Sequence, residues 1–88
     1  MDEGKRREEV DRGARAAALL RDELLSEAFE TLEISYISAW RETEEAQSDR
    51  REKIFLMLKS LQGVRAHLES VAMTGDLARR ELDRGIQG

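Results

Sequence analysis

The chain has 88 residues, of which 40% are hydrophobic and 39% charged, and its formal net charge is −4. A chain of this length forms a single domain with a small core, and the low aromatic content of 5% favours long helices with narrow apolar stripes over a sheet protein. Because cysteine is absent, disulfides, thiolate metal sites and thiol catalysis are excluded.

The first twelve residues, MDEGKRREEVDR, are almost entirely charged and contain Val10 as an isolated apolar residue. Such a segment buries too little apolar surface to offset the loss of chain entropy. We therefore predict a flexible charged tail over residues 1–12. A single helical domain is predicted over residues 13–88.

Apolar residues from about residue 13 to residue 44 recur with the period of an amphipathic helix. They fall in one continuous band, the predicted seam of the first helix: Ala18, Leu25, Ala28, Phe29, Leu32, Tyr36, Ala39 and Trp40. Four of them are spaced by seven residues, as expected for a helix that packs along its whole length. The pattern predicts one unbroken helix over about residues 13–44.

Polar residues 43–48 interrupt this pattern, and Asp49 followed by Glu52 is typical of a helix N-cap with its reciprocal acid. A second helix is predicted over about residues 49–74. Its apolar residues alternate by three and four positions, as in an antiparallel bundle or coiled coil: Ile54, Met57, Leu61, Val64, Leu68 and Val71. We predict an all-α fold in which the two helices form a long antiparallel hairpin.

Two glycines in this region have alternative interpretations. Gly63 costs about 1 kcal/mol relative to alanine inside a helix, so either the helix tolerates it or, as we expect, another backbone packs closely there. Thr74, Gly75 and Asp76 are typical of a helix C-terminus followed by a new N-cap. They predict a short third helix over about residues 76–84, and a helix that continues through Gly75 is the alternative.

Six large apolar residues lie off the predicted seams: Leu19, Ile34, Ile37, Phe55, Leu56 and Met73. This is a large apolar surface for two main helices to leave in contact with water. We predict that these residues form the interface with further copies or with a partner. The hairpins would then assemble into an oligomeric bundle or ring.

The sequence gives little support for catalysis or metal binding. His67 is the single histidine, and no Glu-x-x-His motif of the kind used by di-metal bundles occurs. The first helix carries four glutamates at three- and four-residue spacing: Glu23, Glu27, Glu30 and Glu33. Because they point away from the predicted seam, we interpret them as a solvated face. We expect no enzymatic activity, cofactor or metal.

Basic residues form two clusters. One begins the second helix and the other lies near the end of the chain: Arg50, Arg51 and Lys53, then Arg79, Arg80 and Arg84. They are candidates for contacts with DNA phosphates, and the alternative is that they balance acidic residues on neighbouring helices. Because the chain is acidic overall and shows no helix-turn-helix pattern, we expect only weak, non-specific DNA binding.

A resemblance to a known group of proteins rests on six segments: LLSEAF (24–29), YISAWRET (36–43), RE (51–52), LKSL (58–61), VRAHL (64–68) and TG (74–75). The chain resembles small helical proteins of tailed phages, prophages and gene transfer agents. Some of these look like small terminase subunits, which are ring-forming helical hairpins that recruit phage DNA and regulate the packaging motor. The resemblance implies a non-enzymatic assembly or DNA-packaging module in the host cytoplasm. It also implies that the partners are its own copies and the large terminase or another phage protein.

The alternative hypothesis is a helical adaptor that binds a host or phage protein through an exposed apolar face. Neither hypothesis involves a membrane, because the longest apolar runs, residues 16–20 and 54–58, are too short for a membrane span or a signal-peptide core. Together with the absence of cysteine, this leads us to expect a cytoplasmic protein.

Overall fold

The computed structural model describes residues 2–87 and contains three helices, α1 (Glu3–Arg21), α2 (Glu23–Arg41) and α3 (Ser48–Gln87). No strand occurs in that range, which confirms the predicted all-α class. The molecule is elongated and measures 63 × 26 × 15 Å along its principal axes, with α1 and α2 both packed on α3. Within residues 2–87, no helix combines the length and the hydropathy that crossing a membrane would require.

The long helix α3 runs antiparallel to α1 and α2, which follow one another along its length. At one end of the molecule, Nη2 of Arg6 in α1 lies 2.6 Å from Oε2 of Glu81, late in α3. At the other end, the guanidinium of Arg51, early in α3, lies 4.3 Å from the ring centroid of Trp40 in α2. The predicted antiparallel hairpin is therefore present. Its assembly into an oligomer stays a prediction.

Helix α1 begins at Glu3, where the sequence predicted a flexible charged tail. The carboxylate of Asp2 caps it by accepting a hydrogen bond from the backbone N–H of Lys5 at 3.2 Å. Arg6 and Val10 are half-buried. The prediction counted only large apolar side chains, whereas α1 packs mainly through glycine and alanine, with the ion pair to α3 at its start.

The predicted helix over residues 13–44 is two helices, interrupted at Asp22. This residue has an extended backbone with φ −67° and ψ 123°, and its Oδ1 accepts a hydrogen bond from the N–H of Leu25 at 2.8 Å. Asp22 is therefore the N-cap of α2. The chain leaves the helix for this one residue and re-enters it immediately.

The interruption changes which side chains are buried. Helix α1 buries Gly13 and Ala16, and helix α2 buries Phe29. Half of the predicted seam is exposed to solvent: Ala18, Ala28, Leu32 and Trp40. The predicted seam assumed a single helical phase, and the break at Asp22 gives α1 and α2 separate phases.

Helix α3 begins at Ser48, one residue before the predicted cap Asp49, and continues through Gly75 without a break. The predicted separate helix over residues 76–84 is therefore the end of α3. The alternative that the sequence left open, a continuous helix, is the correct one.

The buried and half-buried side of the first half of α3 follows an alternation of three and four residues, which we call the α3 seam: Ile54, Leu58, Leu61, Arg65, Leu68 and Ala72. Two residues of the predicted seam, Met57 and Val64, are instead 43% and 54% exposed. The spacing was predicted correctly, but these two positions lie one residue before the α3 seam.

The closest approach between helices occurs at Gly13 in α1 and Gly75 in α3. A Cβ atom added to either glycine would lie 2.6 Å from the Cα of the other. Beside this crossing, Ala16 and Ala78 are each only 4% exposed. The close packing predicted at Gly63 is wrong, because a Cβ there would meet no atom within 4 Å.

Candidate interaction surface

Most large apolar side chains in residues 2–85 lie on the surface. The buried apolar residues in this range are Ala16, Phe29, Ile54 and Ala78. The exposed ones are Leu19, Leu24, Leu32, Ile34, Ile37, Trp40, Phe55, Leu56, Met57, Val64, Met73 and Leu77. All six residues predicted as an interface belong to this exposed set.

The accessible surface is large for a protein of this mass. It amounts to 7029 Å² for a chain of 10.1 kDa. A compact monomer of that mass exposes about 5,300 Å², so the excess is about 1,700 Å². The elongated shape contributes to this excess, because α1 and α2 each pack mainly on α3 and have little contact with one another.

One side of the α2–α3 hairpin is charged. Arg65 of the α3 seam has its guanidinium 4.9 Å from the ring centroid of Phe29, and its Nη1 lies 3.4 Å from Oε1 of Glu33. Glu30 and Ser26 line the same cavity of about 360 Å³. We call the side formed by Ser26, Glu30, Glu33 and Arg65 the charged face.

The opposite side of the hairpin carries no carboxylate over residues 28–39 of α2 and 56–64 of α3. On α2, the charged face carries Ser26, Glu30 and Glu33, which lie to one side of the buried residues. Helical spacing therefore places the residues on the other side of that buried row on the opposite face of the hairpin. We call this side the neutral face and define it by eight residues: Ala28, Leu32, Ser35 and Ala39 of α2, and Leu56, Met57, Ser60 and Val64 of α3. All except Ala39 are exposed.

An open groove of about 470 Å³ lies on the α3 half of the neutral face. It is lined by Leu56, Met57, Ser60 and Val64, by Tyr36 and Leu61 beside them, and by Lys53. Sequence reasoning identified only Leu56 among the interface residues of this face. Sequence reasoning placed Met57 and Val64 in the buried seam of the second helix, because their spacing is the same as that of the α3 seam.

A separate cavity of about 150 Å³ lies at the loop end of the hairpin, and we call it the tip cavity. No charged residue lines it, and its lining residues are Tyr36, Ile37, Trp40, Ile54, Phe55 and Leu58. Arg51 stacks on the ring of Trp40 at its edge, which is a cation–π contact.

The two predicted basic clusters lie at opposite ends of α3, about 40 Å apart at 1.5 Å per residue. Two of their six residues already have partners within the chain. Arg51 stacks on Trp40, and Nη2 of Arg80 lies 2.9 Å from Oδ2 of Asp76. The others are exposed: Arg50, Lys53, Arg79 and Arg84. One chain does not bring the clusters together.

Within the described part of the chain, no group of three or more His, Asp or Glu side chains is placed to hold a metal ion. Comparison of the chain with protein-family models, with curated proteins and with solved structures found no match. Function is therefore inferred from the exposed surfaces.

Proposed function

We propose that the protein is a non-enzymatic helical module that works as a homo-oligomer. The supporting observation is the surface: an excess of about 1,700 Å² over a compact monomer, in a molecule whose large apolar side chains are mostly exposed. A stable interface buries about 800 Å² per partner, so the excess is enough for one or two such contacts. Packing a second copy against the exposed helix faces would cover this excess.

The more specific proposal is a role in phage-type assembly or DNA packaging, of the small-terminase kind, with a large terminase or another phage protein as partner. Its support is the resemblance in residues 24–75 and the repetition that an oligomer would give to the basic clusters. A gene for a large terminase or portal protein beside the gene for this chain would support this role. A neighbourhood of unrelated metabolic genes would contradict it.

Analytical ultracentrifugation across a wide range of protein concentrations tests self-association. We expect a mass that is a multiple of 10.1 kDa, together with a melting temperature that rises with concentration, because association stabilises the folded state by mass action. A monomer at all concentrations, with a constant melting temperature, would contradict the proposal.

A second candidate function is an adaptor that binds another protein, and the tip cavity favours it. The cavity is apolar, accessible at one end of the molecule and of a size that admits one large apolar side chain of a partner helix. The adaptor predicts a monomer or dimer that keeps the tip open, whereas a packaging ring predicts a higher oligomer. The same ultracentrifugation measurement distinguishes them.

A further inference from the structure

We infer that the neutral face binds the neutral face of a second copy of this chain in an isologous contact, with the two α3 helices antiparallel across a two-fold axis close to Ser60. This inference rests on the proposed self-association and specifies its surface and its partner. It also narrows the predicted interface, because five of the six predicted residues lie outside the neutral face.

Charge is the first reason to choose this face. In an isologous contact the same patch approaches from both sides, so a patch with an unbalanced net charge faces a patch of the same sign. The charged face would bring Glu30 and Glu33 of one copy towards those of the other, and its half-buried Arg65 guanidinium is already paired with Glu33. The neutral face consists of uncharged side chains, with Lys53 only at its end. It therefore buries no ion against a like ion.

Spacing is the second reason. The α3 helix carries a second row beside the α3 seam, with the same alternation of three and four residues: Lys53, Met57, Ser60, Val64 and His67. Such a row is what a helix needs to pack along another helix. Ser60 is at its centre, with Met57 three residues before and Val64 four residues after. Across a two-fold axis at Ser60, Met57 of each copy would meet Val64 of the other.

Size is the third reason. Helix α2 has 19 residues and is about 28 Å long, and two adjacent helices give a face about 20 Å wide. That flat footprint of about 560 Å² is of the same order as one side of a standard interface, which buries about 800 Å² of accessible surface per partner. The small residues Ala28, Ser35 and Ala39 leave room on α2 for side chains of the second copy.

Single-cysteine variants test the geometry directly, because the chain contains no cysteine of its own. Ser60→Cys places a thiol beside the proposed axis, and Ser26→Cys is the matched control, an exposed serine on the charged face. Under mild oxidation of the full chain, we expect a disulfide-linked dimer of Ser60→Cys on a non-reducing gel and no such dimer of Ser26→Cys.

A charge introduced into the face gives an independent readout that needs no disulfide geometry. Val64→Glu is compared with Ile34→Glu, since the two residues are 54% and 60% exposed and only Val64 lies on the neutral face. We expect Val64→Glu to raise the dissociation constant by about tenfold or more and Ile34→Glu to leave it unchanged. Far-UV circular dichroism of both variants checks that the helices are intact.

The outcomes separate the two proposals. If the unmodified chain is a monomer, self-association itself fails. If it is an oligomer but Ser26→Cys cross-links as well as Ser60→Cys, or Val64→Glu has no effect, the neutral face is not the contact and only the inference fails. If Val64→Glu and Ile34→Glu both dissociate the oligomer, two different faces meet and the isologous contact is overturned.

Discussion

Gly75 and Gly63 occupy the same helix, but the structure gives them opposite roles. Gly75 contacts the backbone of α1, where an added Cβ would lie 2.6 Å from the Cα of Gly13 and 2.8 Å from the carbonyl oxygen of Glu9. Gly63 faces open space. At Gly75, the close crossing requires a residue without a side chain. At Gly63, glycine only lowers the stability of the helix.

This difference predicts opposite effects of the same substitution. We expect Gly75→Ala to lower the free energy of unfolding by about 1 to 3 kcal/mol, because α1 must move away from α3 and uncover Ala16 and Ala78. We expect Gly63→Ala to raise it by up to about 1 kcal/mol through helix propensity alone. Urea unfolding followed by circular dichroism at one fixed protein concentration measures both. A Gly75→Ala variant as stable as Gly63→Ala would contradict the close crossing.

The sequence could not assign these two glycines. A glycine inside a helical pattern has the same local cost wherever it lies, and what approaches it comes from a segment far away in the chain. Gly75 meets a residue that is 62 positions earlier. The predicted helix over residues 13–44 also placed Gly13 outside its apolar seam, whereas in the structure Gly13 is buried against α3.

Asp22 separates two helices that a continuous apolar pattern predicted as one. The break leaves only one residue outside the helices, so no polar stretch marks it, and Ala18 of α1 has the same phase as the apolar residues of α2 although it is exposed. The signal that was present in the sequence is the N-cap itself, an aspartate directly before an acidic first turn at Glu23. The helix break at Asp22 is therefore predictable when N-cap residues are considered together with the apolar periodicity.

Removing the cap tests whether α2 depends on it. We expect Asp22→Ala to lower the free energy of unfolding by about 0.5 to 2 kcal/mol, because the N–H of Leu25 loses its acceptor. Asp22→Asn keeps a side-chain oxygen at the same position and should stay close to the unmodified protein. The measurement is thermal unfolding at matched concentration. If Asp22→Ala were more helical and equally stable, the break would be incidental to the fold.

The elements themselves were largely predictable. The all-α class, the antiparallel hairpin and the turn near residues 42–47 follow from composition and periodicity. The α3 seam was only half correct, since α3 has two adjacent rows with identical spacing and the prediction took members from both. The reason is Arg65, a charged residue at a position where sequence patterns favour an apolar one. In the structure its guanidinium stacks on the ring of Phe29 beside Glu33.

At the scale of the molecule, charge limits what the isolated protein does with DNA. The net charge is −4 and the two basic clusters lie at opposite ends of α3. We expect weak binding to duplex DNA, without sequence preference and steeply reduced by salt, measured by fluorescence anisotropy at low and near-physiological salt. Tight binding to one sequence that persisted at physiological salt would contradict this expectation.

The variant for that experiment follows from the contacts of the cluster. Arg50 and Lys53 are exposed, whereas Arg51 stacks on Trp40. Arg50→Gln combined with Lys53→Gln therefore removes charge without disturbing the tip cavity, and should reduce the residual binding and its salt dependence. Arg79→Gln combined with Arg84→Gln removes the same charge from the second cluster, so comparing the two variants shows which end of α3 contacts DNA.

The order of the helices along α3 has a consequence for how the chain folds. Helices α2 and α3 are joined by six residues, so their pairing closes a short loop, whereas the contact of α1 with the second half of α3 joins residues as distant as Gly13 and Gly75. Closing the longer loop costs about 2 kcal/mol more chain entropy. Helix α1 also has few large apolar side chains with which to offset that cost. We therefore expect the α2–α3 hairpin to form before α1 docks onto the far half of α3.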